Sequence, residues 1–444
     1  MSSVTIIRNA MVLTMDADFH FFRKGTVVIE DDQIAAVGED KDINTEYKNA
    51  ELIDGSGKLV MPGIINTHTH IPMTIFRGYA DDLSLHEWLY DYIFPVESAF
   101  INAENVVAGA ELAMAEMIKS GTTTFNDMYY FADDIAQLAD RTGIRAFLSE
   151  AIIDFPAPNS PNPLMGLERG EMLMKKWNHH NHITISSSAH SPYSCSQEYI
   201  VKARELSDMY KVPFNIHVAE TRREYDQSMK KHGLSPVAYL DSIGALSGRT
   251  VAAHGVHVSD EDVSILARKG VSVAHNPECN MKLASGVAPV PQLLNAGVTV
   301  GLGTDGVASN NNMDMFEEMN SAAIIHKLNQ NNPSVMDAQS VVYMATLGGA
   351  RALGAGDQIG SLEVGKKADI IILDMDQPHS HPIYNIYSLL VYSMRGSDVD
   401  TVLIDGEMVM KNKQLLNIDE REVFAKVDSI AAEVMQKNGT VQSK

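Results

Sequence analysis

Cysteine is nearly absent from this chain: Cys195 and Cys279 are the only two among 444 residues. Two thiols cannot build a disulfide framework or a cysteine-rich zinc module. Each reads as a small buried side chain rather than a metal ligand. Positive charge is also scarce, with 35 Lys and Arg against 57 Asp and Glu and a net charge of −22. Such a surface repels phosphate backbones and anionic lipid, which argues against nucleic acid and membrane as partners. No apolar run reaches the roughly 18 residues of a membrane span. The N-terminal "MSSVTIIRNAMVLTMDADF" lacks a signal-peptide core, because Arg8 interrupts its apolar residues. The resulting expectation is a cytoplasmic protein.

What is present is a folding composition, 45% hydrophobic and 21% charged. Near the N-terminus, "VTIIRNAMVLTMD", "GTVVIEDDQIAAVGED" and "AELIDGSGKLV" show strand-like alternation broken by turn residues. "IGSLEVGKKADIIILD" and "VDTVLIDGEMVMKNKQ" repeat that character near the other end. Residues 1–58 and 357–417 are therefore expected to form one small composite β-sandwich domain. Between them, residues 59–356 alternate short apolar or β-branched runs with stretches of helical periodicity such as "AENVVAGAELAMAEMIKSG". Eight such runs, from "VMPGIINTHTH" to "VTVGLGTD", predict an α/β chain with a (β/α)8 TIM-type barrel. A Gly-x-Gly-x-x-Gly turn is missing after the first of them, against a dinucleotide-binding sheet. Residues 418–444 read as a C-terminal helix and tail.

In such a barrel the chemistry gathers at the C-terminal ends of the strands. "GIINTHTH" ends its run with His68 and His70, and residues two apart on a strand point to the same face. His190, His217, His254 and Asp305 fall at or near the ends of later runs, and Glu220 follows His217 by three residues. His68, His70, His217 and Asp305 suit one divalent metal, Zn²⁺ ahead of Fe²⁺, with a position left for water. The ion would bring that water toward a nucleophilic hydroxide. Glu220 is placed to shuttle protons, His254 to hydrogen-bond the hydroxide, and Asp305 both to bind the metal and to accept the water's proton. The polar loop "NHHNH" (His179, His180, His182) has chelating residues but reads as a solvated loop, as does "PHSHP" (His379, His381).

Taken together, "PGIINTHTH", "GTTTFNDM", "AHSPYSCS", "HVAET", "AAHGVHVSD", "AHNPECNMKLASGVAPV" and "GTDGVASNNNMDMFEEM" resemble the amidohydrolase superfamily, in its methylthioadenosine/S-adenosylhomocysteine deaminase branch. The resemblance implies a metal-dependent aminohydrolase. Its substrate would be adenosine, methylthioadenosine, S-adenosylhomocysteine or another 5′-modified adenosine, and water would displace the 6-amino group as ammonia. It also implies that Glu220 contacts the purine, that His190 binds substrate, that Glu97 holds the ribose hydroxyls, and that the chain assembles as a homo-oligomer. Where many relatives carry an arginine at the end of the third strand, "FLSEAI" has Glu150. A carboxylate there would repel the amino-acid tail of S-adenosylhomocysteine, with Arg169 as a substitute partner. The alternatives are a deaminase or chlorohydrolase of another heteroaromatic ring (guanine, pterin, triazine) and, last, a catalytically inactive scaffold. No lysine ends the fourth strand to bridge two metals, and the Pro-Cys-x-x-Cys pair of cytidine deaminases is missing.

Overall fold

The computed structural model describes residues 3–47 and 49–438. Its first strands are β1 (Val4–Leu13), β2 (Phe21–Glu30), β3 (Gln33–Glu39), β4 (Glu51–Asp54) and β5 (Lys58–Pro62). There follow β6 (Ile64–Thr69), β7 (Thr122–Tyr129), β8 (Arg145–Glu150), β9 (Ile183–Ile185), β10 (Ser187–Ser188), β11 (Phe214–Val218), β12 (Thr250–His254), β13 (Ser272–His275) and β14 (Val300–Leu302). The last are β15 (Ile370–Asp374), β16 (Val399–Ile404), β17 (Glu407–Lys411) and β18 (Gln414–Leu415).

The two ends of the chain meet in one sheet, ordered β18-β17-β16-β15-β5-β1-β2-β3, with β4 paired to β1. The junction is the antiparallel pairing of β15 with β5, from Ile370 opposite Pro62 to Asp374 opposite Lys58. Ile7, Val27, Val60, Ile370, Ile372 and Leu403 share a buried cluster, so apolar residues far apart in sequence leave water together.

The middle strands are parallel, in the orders β6-β7-β8-β9 and β10-β11-β12-β13-β14. Only Ser186 separates β9 from β10, and its N–H still bonds Leu148 O at 2.7 Å. At the other end the segment after β14 returns to β6. Thr67 Oγ1 donates to Leu302 O at 2.8 Å, and Asp305 N donates to His68 O at 2.9 Å. Gly303 is required at this crossing, because a Cβ there would stand 2.9 Å from His68 N and 2.5 Å from Asn276 Oδ1. Helices connect successive strands. Ala103–Lys119 is capped by Asn102, whose side chain accepts from Asn105 N at 3.0 Å. The chain then leaves that helix through Gly121 at φ +87°.

Arg145, buried at the start of β8, ties the parallel strands to the terminal sheet. Its guanidinium donates to both Asp369 oxygens, at 2.7 and 3.0 Å, and also to Asp405. The expected terminal helix runs Glu420–Asn438, and residues 439–444 of the expected tail lie outside the described residues. Among the described residues no helix is long and apolar enough to cross a membrane.

Candidate active site

His68 lies in β6 and His70 immediately after it, so the strand period carries both imidazoles to one side. Their ring centroids are 4.8 Å apart. His217, in β11, and Asp305, three residues past β14, complete a cluster whose ligand atoms all lie within 4.8 Å of one another. Asp305 Oδ1 is 3.3 Å from His68 Nε2 and 3.2 Å from His70 Nε2. The backbone supports this convergence at a cost. Ala219, His254 and Asp305 have φ of +53°, +74° and +62°, a region that costs a non-glycine residue about 1–3 kcal/mol.

The hydrogen bonds behind these rings fix their tautomers. His70 Nδ1 donates to Met128 O at 2.6 Å, and His217 Nδ1 donates to His190 O at 2.7 Å. A carbonyl only accepts, so both Nδ1 atoms carry hydrogen, and in the neutral ring, the form that binds a metal, both Nε2 atoms present lone pairs. Those two Nε2 atoms face each other at 3.2 Å, while His68 Nε2 is buried without any hydrogen-bond partner. Converging lone pairs repel unless a cation stands among them. The spacings match the edges of a tetrahedral zinc site, about 3.3–3.4 Å for bonds of about 2.0–2.1 Å. The donor set therefore fits a divalent metal.

A buried cavity opens from this cluster and is lined also by Glu97, His190, Glu220 and His254. Every site residue expected from the sequence except His68, which lies behind the cluster, thus borders one space. Glu220 follows β11, and its carboxylate stands 3.7 Å from His254 Nε2. Burial, reinforced by the charge of Asp305, raises its carboxyl to about 8. His254 ends β12, and its Nδ1 lies nearer Asn280 Oδ1, at 3.0 Å, than Asn276 Nδ2, at 3.3 Å; donating to that oxygen leaves Nε2 as an acceptor toward Glu220. Glu97, on the helix Phe94–Phe100, is buried and accepts the Tyr129 hydroxyl. Burial pushes it up to about 7, against the pull of that hydrogen bond. His190 Nδ1 shares a 2.7 Å hydrogen bond with Ser194 Oγ, and burial followed by the neighbouring histidines holds its ring neutral.

Glu150 corrects an expectation. It ends β8 as anticipated, but its side chain turns away from the cavity, which Ala151 lines instead. Glu150 Oε2 accepts Ala132 N at 3.1 Å, at the start of the helix Ala132–Thr142, where a carboxylate is favoured. Its other oxygen takes Asn159 and, at 3.4 Å, Arg169. Neither residue lines the cavity.

Several supporting residues had no signal in sequence spacing. Cys279 is buried as anticipated, yet its thiol points at Asp305 Oδ2 from 2.8 Å, beside Ser309 Oγ at 3.3 Å. Asp127 Oδ1 accepts Ile71 N at 2.6 Å and Thr69 Oγ1 at 2.9 Å, clamping the turn that carries His70. Asn280 and Tyr129 orient His254 and Glu97.

Comparison with known proteins agrees with this geometry. A model of the amidohydrolase family matches residues 59–409. The chain is 45% identical over 426 residues to a 5-methylthioadenosine/S-adenosylhomocysteine deaminase of Syntrophobacter fumaroxidans, covering 96% of this chain and 97% of that one. It is 44% identical over 434 residues to a 5′-deoxyadenosine deaminase of Methanosarcina mazei, covering 97% and 98%. A zinc-bound adenosine deaminase structure from Xanthomonas campestris superposes with a TM-score of 0.95 at 35% identity, over 97% and 98% of the two chains.

Proposed function

The chain belongs to the amidohydrolase family, and on that premise we propose that it is a metal-dependent deaminase of adenosine-type nucleosides. It replaces the purine 6-amino group by oxygen from water, giving the inosine analogue and ammonia. The observation that carries the reading is the set of facing Nε2 lone pairs beside Asp305, in one buried cavity with two carboxyls of raised pKa. His68, His70, His217 and Asp305 are the ligands of one divalent ion, with zinc the favoured metal. When bound, the ion supplies Lewis acidity that makes a water nucleophilic near neutral pH.

The chain's own residues do the rest. Glu220, protonated because it is buried, donates its proton to the purine ring nitrogen beside C6 as water adds to that carbon. His254 Nε2, kept as an acceptor by Asn280, hydrogen-bonds the attacking water, and Asp305 takes its proton. Asp305 passes that proton to the amino group, which leaves as ammonia, while the C6 hydroxyl proton returns to Glu220 as the carbonyl forms. Glu97 accepts the two ribose hydroxyls, and His190, which also lines the cavity, contacts the substrate. These roles derive from proximity and chemistry together with the family pattern.

The parallel strands are read as a closed (β/α)8 barrel over 59–356. Support comes from the continuity across Ser186 and from the return of β14 to β6. Residues 1–58 and 357–417 make the composite β-sandwich domain beside it, supported by the β15–β5 pairing.

The cavity wall selects the 5′ substituent. It contains Leu85, Trp88, Leu89, Phe94 and Leu283, with no lysine or arginine among its described lining residues. Arg222 and Arg223 stand only in an adjoining outer depression. Methylthioadenosine and 5′-deoxyadenosine should therefore be preferred over S-adenosylhomocysteine, whose tail carboxylate finds no cation inside. The test is ammonia release with loss of adenine absorbance across these nucleosides, adenosine, guanine and a chlorotriazine, with a chelated control. Metal-dependent turnover of the adenosines, at least about tenfold faster for apolar 5′ groups, is expected; a tenfold step is about 1.4 kcal/mol, within reach of one unpaired buried charge. Silence on every adenosine with turnover of guanine or the triazine would overturn the substrate class.

A further inference from the structure

Outside the catalytic cavity, the "NHHNH" loop is exposed at Asn178, His179 and Asn181, while His180 and His182 are only partly exposed. It joins the helix Pro163–Lys176 to β9, and His180 N donates back to Trp177 O at 3.1 Å. His179 takes a left-handed φ of +65°. This bend brings His180 and His182 together, with ring centroids 4.8 Å apart and planes 78° to each other. Asp140, on the last turn of the helix Ala132–Thr142, reaches the same point from another part of the chain.

The three residues form a second converging donor set. Asp140 Oδ1 is 3.3 Å from His180 Nε2 and 3.5 Å from His182 Nε2, and the ligand atoms all lie within 4.8 Å of one another. These spacings exceed the roughly 2.7–3.0 Å of a charge-assisted hydrogen bond and approach the tetrahedral edge of about 3.3–3.4 Å. The catalytic cluster of the same molecule shows nearly the same values, 3.2 and 3.3 Å. His182 Nε2 is moreover buried without a hydrogen-bond partner, as is His180 Nδ1. Behind His182, Asp405 Oδ2 lies 3.8 Å from Nδ1, on the side where a carboxylate orients a ligating imidazole.

We propose that Asp140, His180 and His182 form a second, structural site for a divalent transition ion such as zinc, with its fourth position open to water. Two imidazoles and a carboxylate are donors that Zn²⁺ and its borderline neighbours accept. The site lies at the strand starts, opposite the catalytic mouth. It would staple the end of one outer helix to the chain entering β9. Occupancy is thus predicted to raise thermal stability and to leave turnover unchanged.

The test counts ions on the intact chain. Metal-stripped protein is equilibrated with Zn²⁺ or Co²⁺, freed of excess, and analysed by plasma mass spectrometry and by the visible bands of Co²⁺. Wild type should retain two equivalents. H180A/H182A should retain one with unchanged deaminase turnover, and H68A/H70A should retain one and still melt higher with zinc. A D140N variant repeats the count should the double alanine variant fold poorly. Equal stoichiometry in wild type, H180A/H182A and D140N would overturn the proposal, and so would an H68A/H70A protein that neither binds an ion nor melts higher. Because the count needs no substrate, failure here is separable from failure of the deaminase reading.

Discussion

Replacing Glu220 by glutamine keeps the side chain's size and a hydrogen-bond donor but removes a proton that can be transferred. Positioned general acid–base groups contribute about 10²–10⁴ in rate, which is about 3–5 kcal/mol of barrier. Glu220 belongs in the middle of that range. Its raised pKa, about 8, is close to working pH, which favours a large effect. His254, at 3.7 Å, can relay part of the proton traffic, which limits it. We therefore expect kcat for methylthioadenosine to fall by about 10³, with KM changed less than about fivefold because the amide still meets the ring nitrogen. The assay is loss of adenine absorbance from pH 5 to 9, with bound metal quantified in both proteins. The sign of the pH effect follows from the direction of the shift. A carboxyl raised from its usual range to about 8 bears its proton below that pH and loses it above. The wild type should thus show an alkaline limb, set at or below pH 8 because a bound dication pulls the carboxyl down, and the Gln variant should lack it. Stability linked to the same shift is present below the usual carboxylate range and is lost as pH rises toward 8. A variant within tenfold of wild-type kcat at equal metal content would refute the proton role of Glu220.

Arg145→Met should cost about 3–5 kcal/mol, because Asp369 would keep a buried charge with no cation beside it. Urea unfolding reads this directly, and a loss below about 1 kcal/mol would show that the two parts of the chain do not depend on that contact. Cys279→Val removes one of the two donors to Asp305 Oδ2, so zinc affinity should weaken by about 10–100-fold, the usual cost of losing a partner behind a metal ligand. Competition with a chelator of known affinity measures it. An unchanged dissociation constant would mean that the thiol only fills space.

Much of the candidate site could be read before folding was considered. His68 and His70 are legible because a strand repeats every two residues, and a rule about nearest neighbours needs no tertiary information. His217, His254 and Asp305 were found by a weaker argument, that barrel chemistry collects at strand ends, and that argument depends on recognising eight runs. Glu97 carried no local signal. Only the family pattern singled it out, and its burial against Tyr129 comes from a helix that packs over the cavity. Glu150 shows the reverse. Its position at the end of β8 was correct, but position on a strand does not say where a side chain turns, and the N–H of Ala132 drew it away.

The chain's periodicities were therefore enough to indicate an α/β fold and to single out His68 and His70, since both follow from the spacing of neighbours along one strand or helix. Tertiary structure alone decided the pairings between distant segments. It joined β15 to β5, aimed Cys279 at Asp305 across 26 residues, and set Asp140 beside His180 and His182. The reason is physical: hydrogen-bond direction and donor convergence depend on distances between segments, and those distances exist only once the core has packed.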